Sequence, residues 1–167
     1  MSMGNGQVQP SDFNSKFRQA MRFLYQGRVQ NAILLLEPLH QHQPEHLEVL
    51  KNLGAAYIIR KRYAEAQVLL ERAVELQPDD SDLWVNLAAA RLGELEASTS
   101  EQQNLAIDAY SKALEVNPKA ANVHYMLGLV YRQRKEYLRA VAHFSLALDQ
   151  DPNDQDARNM LSDLGFF

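Results

Sequence analysis

The sequence predicts an all-α chain of repeated helix pairs, and three observations carry that prediction. Four prolines, Pro44, Pro78, Pro118 and Pro152, each follow a stretch with apolar residues at helical spacing, and they are separated by 34, 40 and 34 residues. Between them one short pattern recurs. Leu50, Leu53, Gly54 and Tyr57 lead to Ala66, Leu70 and Ala73, and Leu127, Gly128 and Tyr131 lead to Ala140, Phe144 and Ala147. After Pro78 and Pro152 come Asp79-Asp80-Ser81-Asp82 and Asn153-Asp154-Gln155-Asp156, whose side-chain oxygens suit the starts of following helices.

Each unit follows from these marks in turn. The first keeps Ala20, Phe23, Ala32 and Leu36 before Pro44, but Lys16 and Gln19 stand where large apolar residues would be usual. Within it Pro38 predicts a kink or an early helix end near Glu37, because proline has no N–H and clashes with the preceding turn. The second and fourth units match position for position. The third has Trp84, Leu87 and Ala88 in its first helix and Ala106, Tyr110 and Ala113 in its second. Ala157, Met160, Leu161 and Leu164 then predict a last helix within 155–165 that covers the apolar face of the fourth unit. The terminal pair Phe166-Phe167 is expected to dock on that end.

Small residues at 54, 66 and 73 let backbones approach while Tyr57 and Leu70 fill the space between helices. This set of spaced positions resembles the tetratricopeptide repeat, a pair of antiparallel helices in 34 residues. The resemblance implies a right-handed α-solenoid of four helix-turn-helix repeats plus a C-terminal capping helix. The repeats would span 13–46, 47–80, 81–120 and 121–154, forming one domain over 11–167 behind a flexible polar tail at 1–10.

The third unit is six residues too long, and the excess falls in its internal turn, within 92–104. Arg91 to Leu95 are expected to continue the first helix. Ser98, Thr99 or Ser100 would cap the second, with Glu101, Gln102 or Gln103 in capping-box spacing. Three extra residues on each helix would project the hairpin about 4.5 Å. Leu95 is expected to fill the place of the tyrosine that the second and fourth units carry at Tyr63 and Tyr137. Deleting the extra residues should spare folding.

Composition narrows the function. With 46% hydrophobic and 23% charged residues in 167, the chain has the makings of a globular core, and its formal charge of −4 gives no global attraction to nucleic acid or anionic lipid. Having no cysteine, it has no disulfide framework, no thiolate nucleophile and no thiolate metal site, which fits the cytoplasm. No apolar run approaches the ~18 residues of a transmembrane helix. His40, His42 and His46 straddle Pro44 and read as surface histidines near a helix C-terminus, not a metal site. The acidic run 149–156 lacks the glycine and final carboxylate of a calcium loop. No glycine-rich phosphate loop and no nucleophile–histidine pairing is visible, so the chain reads as non-catalytic and without a cofactor.

The resemblance also implies where a partner would bind: on the first helix of each repeat, facing a concave groove. Those positions hold Phe17, Arg18 and Met21 in the first repeat and Lys51 and Asn52 in the second. The third and fourth contribute Val85, Asn86 and Ala89, then Asn122, Tyr125, Met126 and Leu129. The apolar members exceed what the fold needs for its own core, which favours a peptide or an amphipathic helix with a few apolar anchors as the occupant. Packing against neighbouring first helices is the competing account of the same residues. Lys51 and Asn86 fit the donors with which some relatives grip a chaperone's C-terminal carboxylates. Ala55, Asn122 and Met126 do not, so that partner is disfavoured.

The two edges differ in charge. Turns inside repeats carry Arg28, Arg60, Lys61, Arg62, Arg132, Arg134 and Lys135, and turns between them carry Glu45, Glu48, Asp79, Asp80, Asp82, Asp151, Asp154 and Asp156. Helix dipoles favour that placement. The alternative reading is an assembly subunit that contacts partners, or copies of itself, through these edges.

Overall fold

The computed structural model describes residues 10–166, which form nine α-helices and no strand. They are α1 (Pro10–Tyr25), α2 (Val29–His42), α3 (Leu47–Ile59), α4 (Tyr63–Leu76), α5 (Ser81–Leu92), α6 (Ser100–Val116), α7 (Val123–Gln133), α8 (Tyr137–Gln150) and α9 (Gln155–Asp163). The chain divides into two compact units, the first ending at Leu76 and the second beginning at Gln77, beside Pro78. The expected tail lies outside the described residues except for Pro10, which opens α1, where a missing N–H costs nothing.

In the first unit α1 packs on α2, α2 on α3 and α3 on α4. Ala20, Ala32, Leu36, Leu53, Ala66, Leu70 and Ala73 are buried as the pattern predicts. Gly54 explains itself by space: a Cβ there would sit 2.7 Å from Leu70 Cγ. Helices α2, α4, α6 and α8 each end two residues before a proline of the period. Pro38 does not bring the early helix end expected near Glu37. α2 runs through it to His42, because Leu36 and Leu39 on either side are fully buried and their packing holds the turn despite the lost hydrogen bond.

Three internal turns share one geometry. The N–H of Arg28, Arg62 and Glu136 donate to the carbonyls of Phe23, Tyr57 and Tyr131 at 2.8, 2.8 and 2.9 Å, closing a Schellman motif on α1, α3 and α7. The motif needs a left-handed residue, and Gly27, Lys61 and Lys135 fill that place with φ of 70°, 59° and 62°. A lysine there carries a Cβ penalty that glycine avoids, only partly offset by glycine's greater freedom in the unfolded chain. Lys135→Gly is therefore expected to stabilise the second unit by about 0.5–1 kcal/mol, seen as a higher urea midpoint.

In the second unit α5 packs on α6, α6 on α7, α7 on α8 and α8 on α9. Asp80 caps α5 by accepting from the N–H of Asp82 and Leu83, and Asp154 caps α9 by accepting from Ala157 N–H at 2.9 Å. Ala157 and Leu161 of α9 are buried, with Met160 and Leu164 packed against the core around Phe144.

The insertion differs from expectation in one half. α5 stops at Leu92 because Gly93 takes φ 63°, ψ −133°, a conformation that ends the helix, so the first helix is not lengthened. Leu95–Ala97 instead form a single 3₁₀ turn. The other half is as expected: Thr99 and Gln102 exchange backbone bonds in a capping box. α6 has 17 residues where α2, α4 and α8 have 14. Leu95 turns inward onto the core shared by α5, α6 and α7. At the chain's end Phe166 is 55% exposed, not docked. Gly165, left-handed at φ 82°, closes α9 with the same Schellman bond, Phe166 N–H to Leu161 O at 3.0 Å, and turns the ring outward. Phe167 lies outside the described residues.

Candidate functional site

The first-helix positions fall on α1 and α3 of the first unit and on α5 and α7 of the second. In the first, Phe17 and Met21 are half-buried on α1, and the Phe17 ring lies 5.9 Å from that of His46. Arg18 is exposed, while Lys51 and Asn52 are half-buried on α3. The Asn52 amide donates to Glu48 O at 2.7 Å, one turn back in its own helix, so that donor is already engaged.

In the second unit Val85, Asn86 and Ala89 on α5 and Tyr125, Met126 and Leu129 on α7 are all half-buried. Val85 and Met126 pack against the α5–α6–α7 core, and Tyr125 and Leu129 pack against the α7–α8–α9 core. The Tyr125 ring stands 5.7 Å from that of Phe144. Each apolar residue thus gives part of its surface to the fold and keeps part free. Asn122 departs from this face: it precedes α7 in a left-handed conformation at φ 62°, with no side-chain cap bond, and is exposed. With Tyr125, His124, Asp151 and Asp154 it lines a pocket of about 250 Å³. Burial, with the nearby carboxylates of Asp156 and Asp154, pushes the Tyr125 phenol above its ordinary value.

The cations of the turn edge are less free than their sequence positions suggest. Arg62 donates to Glu65 at 2.7 Å and to Glu37 at 3.1 Å, and its guanidinium lies 3.9 Å above the Tyr57 ring. Tyr57 donates to the same Glu37 oxygen at 2.8 Å, and burial together with that carboxylate pushes its phenol up to about 12. Arg134 is bound to Glu136 at 2.6 Å.

Residues 23–92 and 99–155 match two sequence profiles, each described as tetratricopeptide repeat. The chain belongs to the tetratricopeptide repeat family. Among curated relatives, BBSome complex member BBS4 of Bos taurus is 29% identical over 84% of this chain and 26% of its own length. Cell division cycle protein 27 homolog A of Arabidopsis thaliana is 32% identical over 70% of this chain and 16% of its own. The chain therefore spans about a quarter or less of these relatives. Among solved structures, MamA 41-end from Desulfovibrio magneticus RS-1 superposes with a TM-score of 0.77 at 22% identity, covering 87% of this chain and 79% of that one, a likeness of fold.

Around the tetratricopeptide repeats no group of three or more His, Asp and Glu side chains is placed to hold a metal among the described residues. Nor is any described helix long and apolar enough to cross a membrane. Of the histidine cluster, His40 and His42 sit in the last turn of α2, but His46 is the N-cap of α3, its Nδ1 accepting from Val49 N–H at 3.4 Å. Nothing in the usual cap preferences signals a histidine there.

A feature that sequence reasoning missed joins α7 to α8. His124 Nδ1 and His143 Nδ1 lie 3.1 Å apart, and Tyr131 stacks on His143 at 5.3 Å. One ring must donate and the other accept, so the contact is incompatible with a doubly protonated pair. Burial holds both imidazoles below their ordinary value, and for His143 the neighbouring charge of His124 acts in the same direction. The folded state then takes up protons less readily than the unfolded chain. The resulting stability is present in full above the unfolded-state value of about 6.5 and is lost as pH falls from there through the lower folded-state values. Unfolding midpoints are expected to drop as pH falls below about 6.5, with a shallower drop in His124→Gln/His143→Gln.

Proposed function

We propose that the chain is a non-catalytic protein-interaction scaffold that holds a peptide or an amphipathic helix on the groove-facing side of its first helices. The observation that carries this is the half-buried apolar set Val85, Tyr125, Met126 and Leu129 on α5 and α7. Side chains held on one side by a core and open on the other are rigid anchors, which lowers the entropy cost of binding. Phe17 and Met21 have the same character on α1. Family membership supports the reading, as does a relative named as a complex member.

The test is capture of partners from the native host with the intact chain and with Met126→Lys. Loss of the captured protein with unchanged circular dichroism is the expected result. Retention with that variant and with Val85→Lys would overturn it. The rival, assembly through charged edges, is weakened by Arg62 and Arg134 being neutralised within their own unit. It would show instead as a concentration-dependent mass in light scattering, abolished by charge reversal at Arg60 and Arg62.

A further inference from the structure

Residues of the lengthened turn of the third repeat, Leu95 and Glu96, build one side of a cleft. Gly93 ends α5 and the Thr99–Gln102 capping box starts α6, which fixes the 3₁₀ turn Leu95–Ala97 between them and seats Leu95 on the core beside α7. Between that turn and the α7–α8 turn lies a cleft of about 460 Å³ lined by Leu95, Glu96, Leu129, Arg132, Gln133, Lys135 and Tyr137. Leu95 and Leu129 are its apolar part. Tyr137, 51% exposed, forms a wall, and Leu138 beside it is 83% exposed. Large side chains left in water next to a concavity are unlike those scattered singly over a surface.

The cations around this cleft are of two kinds. Arg134 and Arg139 are both taken up by Glu136, at 2.6 and 2.9 Å. Arg132 reaches only the sulfur of Met160, at 3.1 Å, and Lys135 projects from its left-handed turn position with no ion pair. The cleft thus offers two cations without carboxylate partners against the single carboxylate of Glu96. Two cations are too few to draw a polyanion to a chain of charge −4. They are enough to orient one or two carboxylates flanking an apolar side chain.

We propose that this cleft is a second docking site, taking an acidic peptide segment whose apolar side chain lies on Leu95 and Leu129 while its carboxylates face Arg132 and Lys135. The volume suits one large side chain with its neighbouring backbone. Leu129 also belongs to the proposed groove, but the cleft does not depend on that reading.

Three short fluorescent peptides test it by polarisation against the full chain. One is rich in Asp and Glu with a central Leu-Phe, one has that pair replaced by Ser, and one has Lys in place of the acids. Only the first is expected to saturate, and to weaken as salt rises. Lys135→Glu should weaken it roughly tenfold, and Glu96→Gln, which removes the one opposing carboxylate, should tighten it severalfold. Equal binding of all three peptides, binding indifferent to both substitutions, or no saturation by the first would each overturn the proposal. Binding lost in Met126→Lys but kept in Lys135→Glu would place the peptide in the groove and overturn the cleft while leaving the groove standing.

Discussion

Phe144→Ala is expected to destabilise the second unit by about 3–5 kcal/mol, the cost of deleting a fully buried aromatic ring. Phe144 has no exposed surface and centres the core made with Ala140 and Leu161, against which Tyr125, Leu129, Tyr131, Val141, Leu148, Met160 and Leu164 pack. Little can collapse into the space, because the facing residue is Gly128 and its backbone is fixed in α7. The single tryptophan of the chain, Trp84, lies in the same unit with its indole N–H bonded to Pro78 O at 2.7 Å, so its fluorescence follows this unfolding directly. A urea midpoint moved by less than about 1 kcal/mol would show that Phe144 is not the keystone of that unit.

Gly128→Val is expected to cost about 3 kcal/mol, at the upper end of overpacking penalties. A Cβ at 128 would stand 2.5 Å from Phe144 Cε1, 2.6 Å from Cδ1 and 2.9 Å from Cζ. Three ring atoms would have to move, and the ring is enclosed on every side. Helix propensity changes little in the opposite direction, because valine is a modest helix former. The discriminating measurement is the double variant: in the Phe144→Ala background the valine should be nearly neutral, giving an interaction energy of about 2–3 kcal/mol. Additive losses would mean that the clash is not the cause.

Much of the fold was legible because its signals are local. The prolines bound α2, α4, α6 and α8, and Asp80, Thr99 and Asp154 cap where acceptor residues promised caps. Two further signals are local as well. Gly93, next to the last apolar residue of α5, marked a helix stop, and Gly27 marked the left-handed place that Lys61 and Lys135 occupy one and three repeats on. Pro38 shows the opposite case: the early helix end it signals near Glu37 is overridden by the burial of Leu36 and Leu39.

The candidate site was less legible, for a different reason. Sequence placed Tyr125 and Met126 on the right helix but could not tell which neighbours would take up half of each side chain. Glu37 meeting both Tyr57 and Arg62, and His124 meeting His143, join residues 19 to 25 positions apart on separate helices. No periodicity encodes such a meeting.

The tight fit of Gly54 to Leu70 and of Gly128 to Phe144 has a consequence for how such a chain can change. In each case the hollow and the side chain that fills it belong to the same repeat. Exchanging a whole repeat carries both halves of the fit together, whereas exchanging a first helix alone sets the hollow made for Leu70 against a phenylalanine. The same holds in the third repeat, where Ala88 shares a core with Tyr110. A break inside a helix pair is therefore expected to cost a steric fit that a break at the prolines leaves whole. The unit of steric fit in this chain is the helix pair, not the helix.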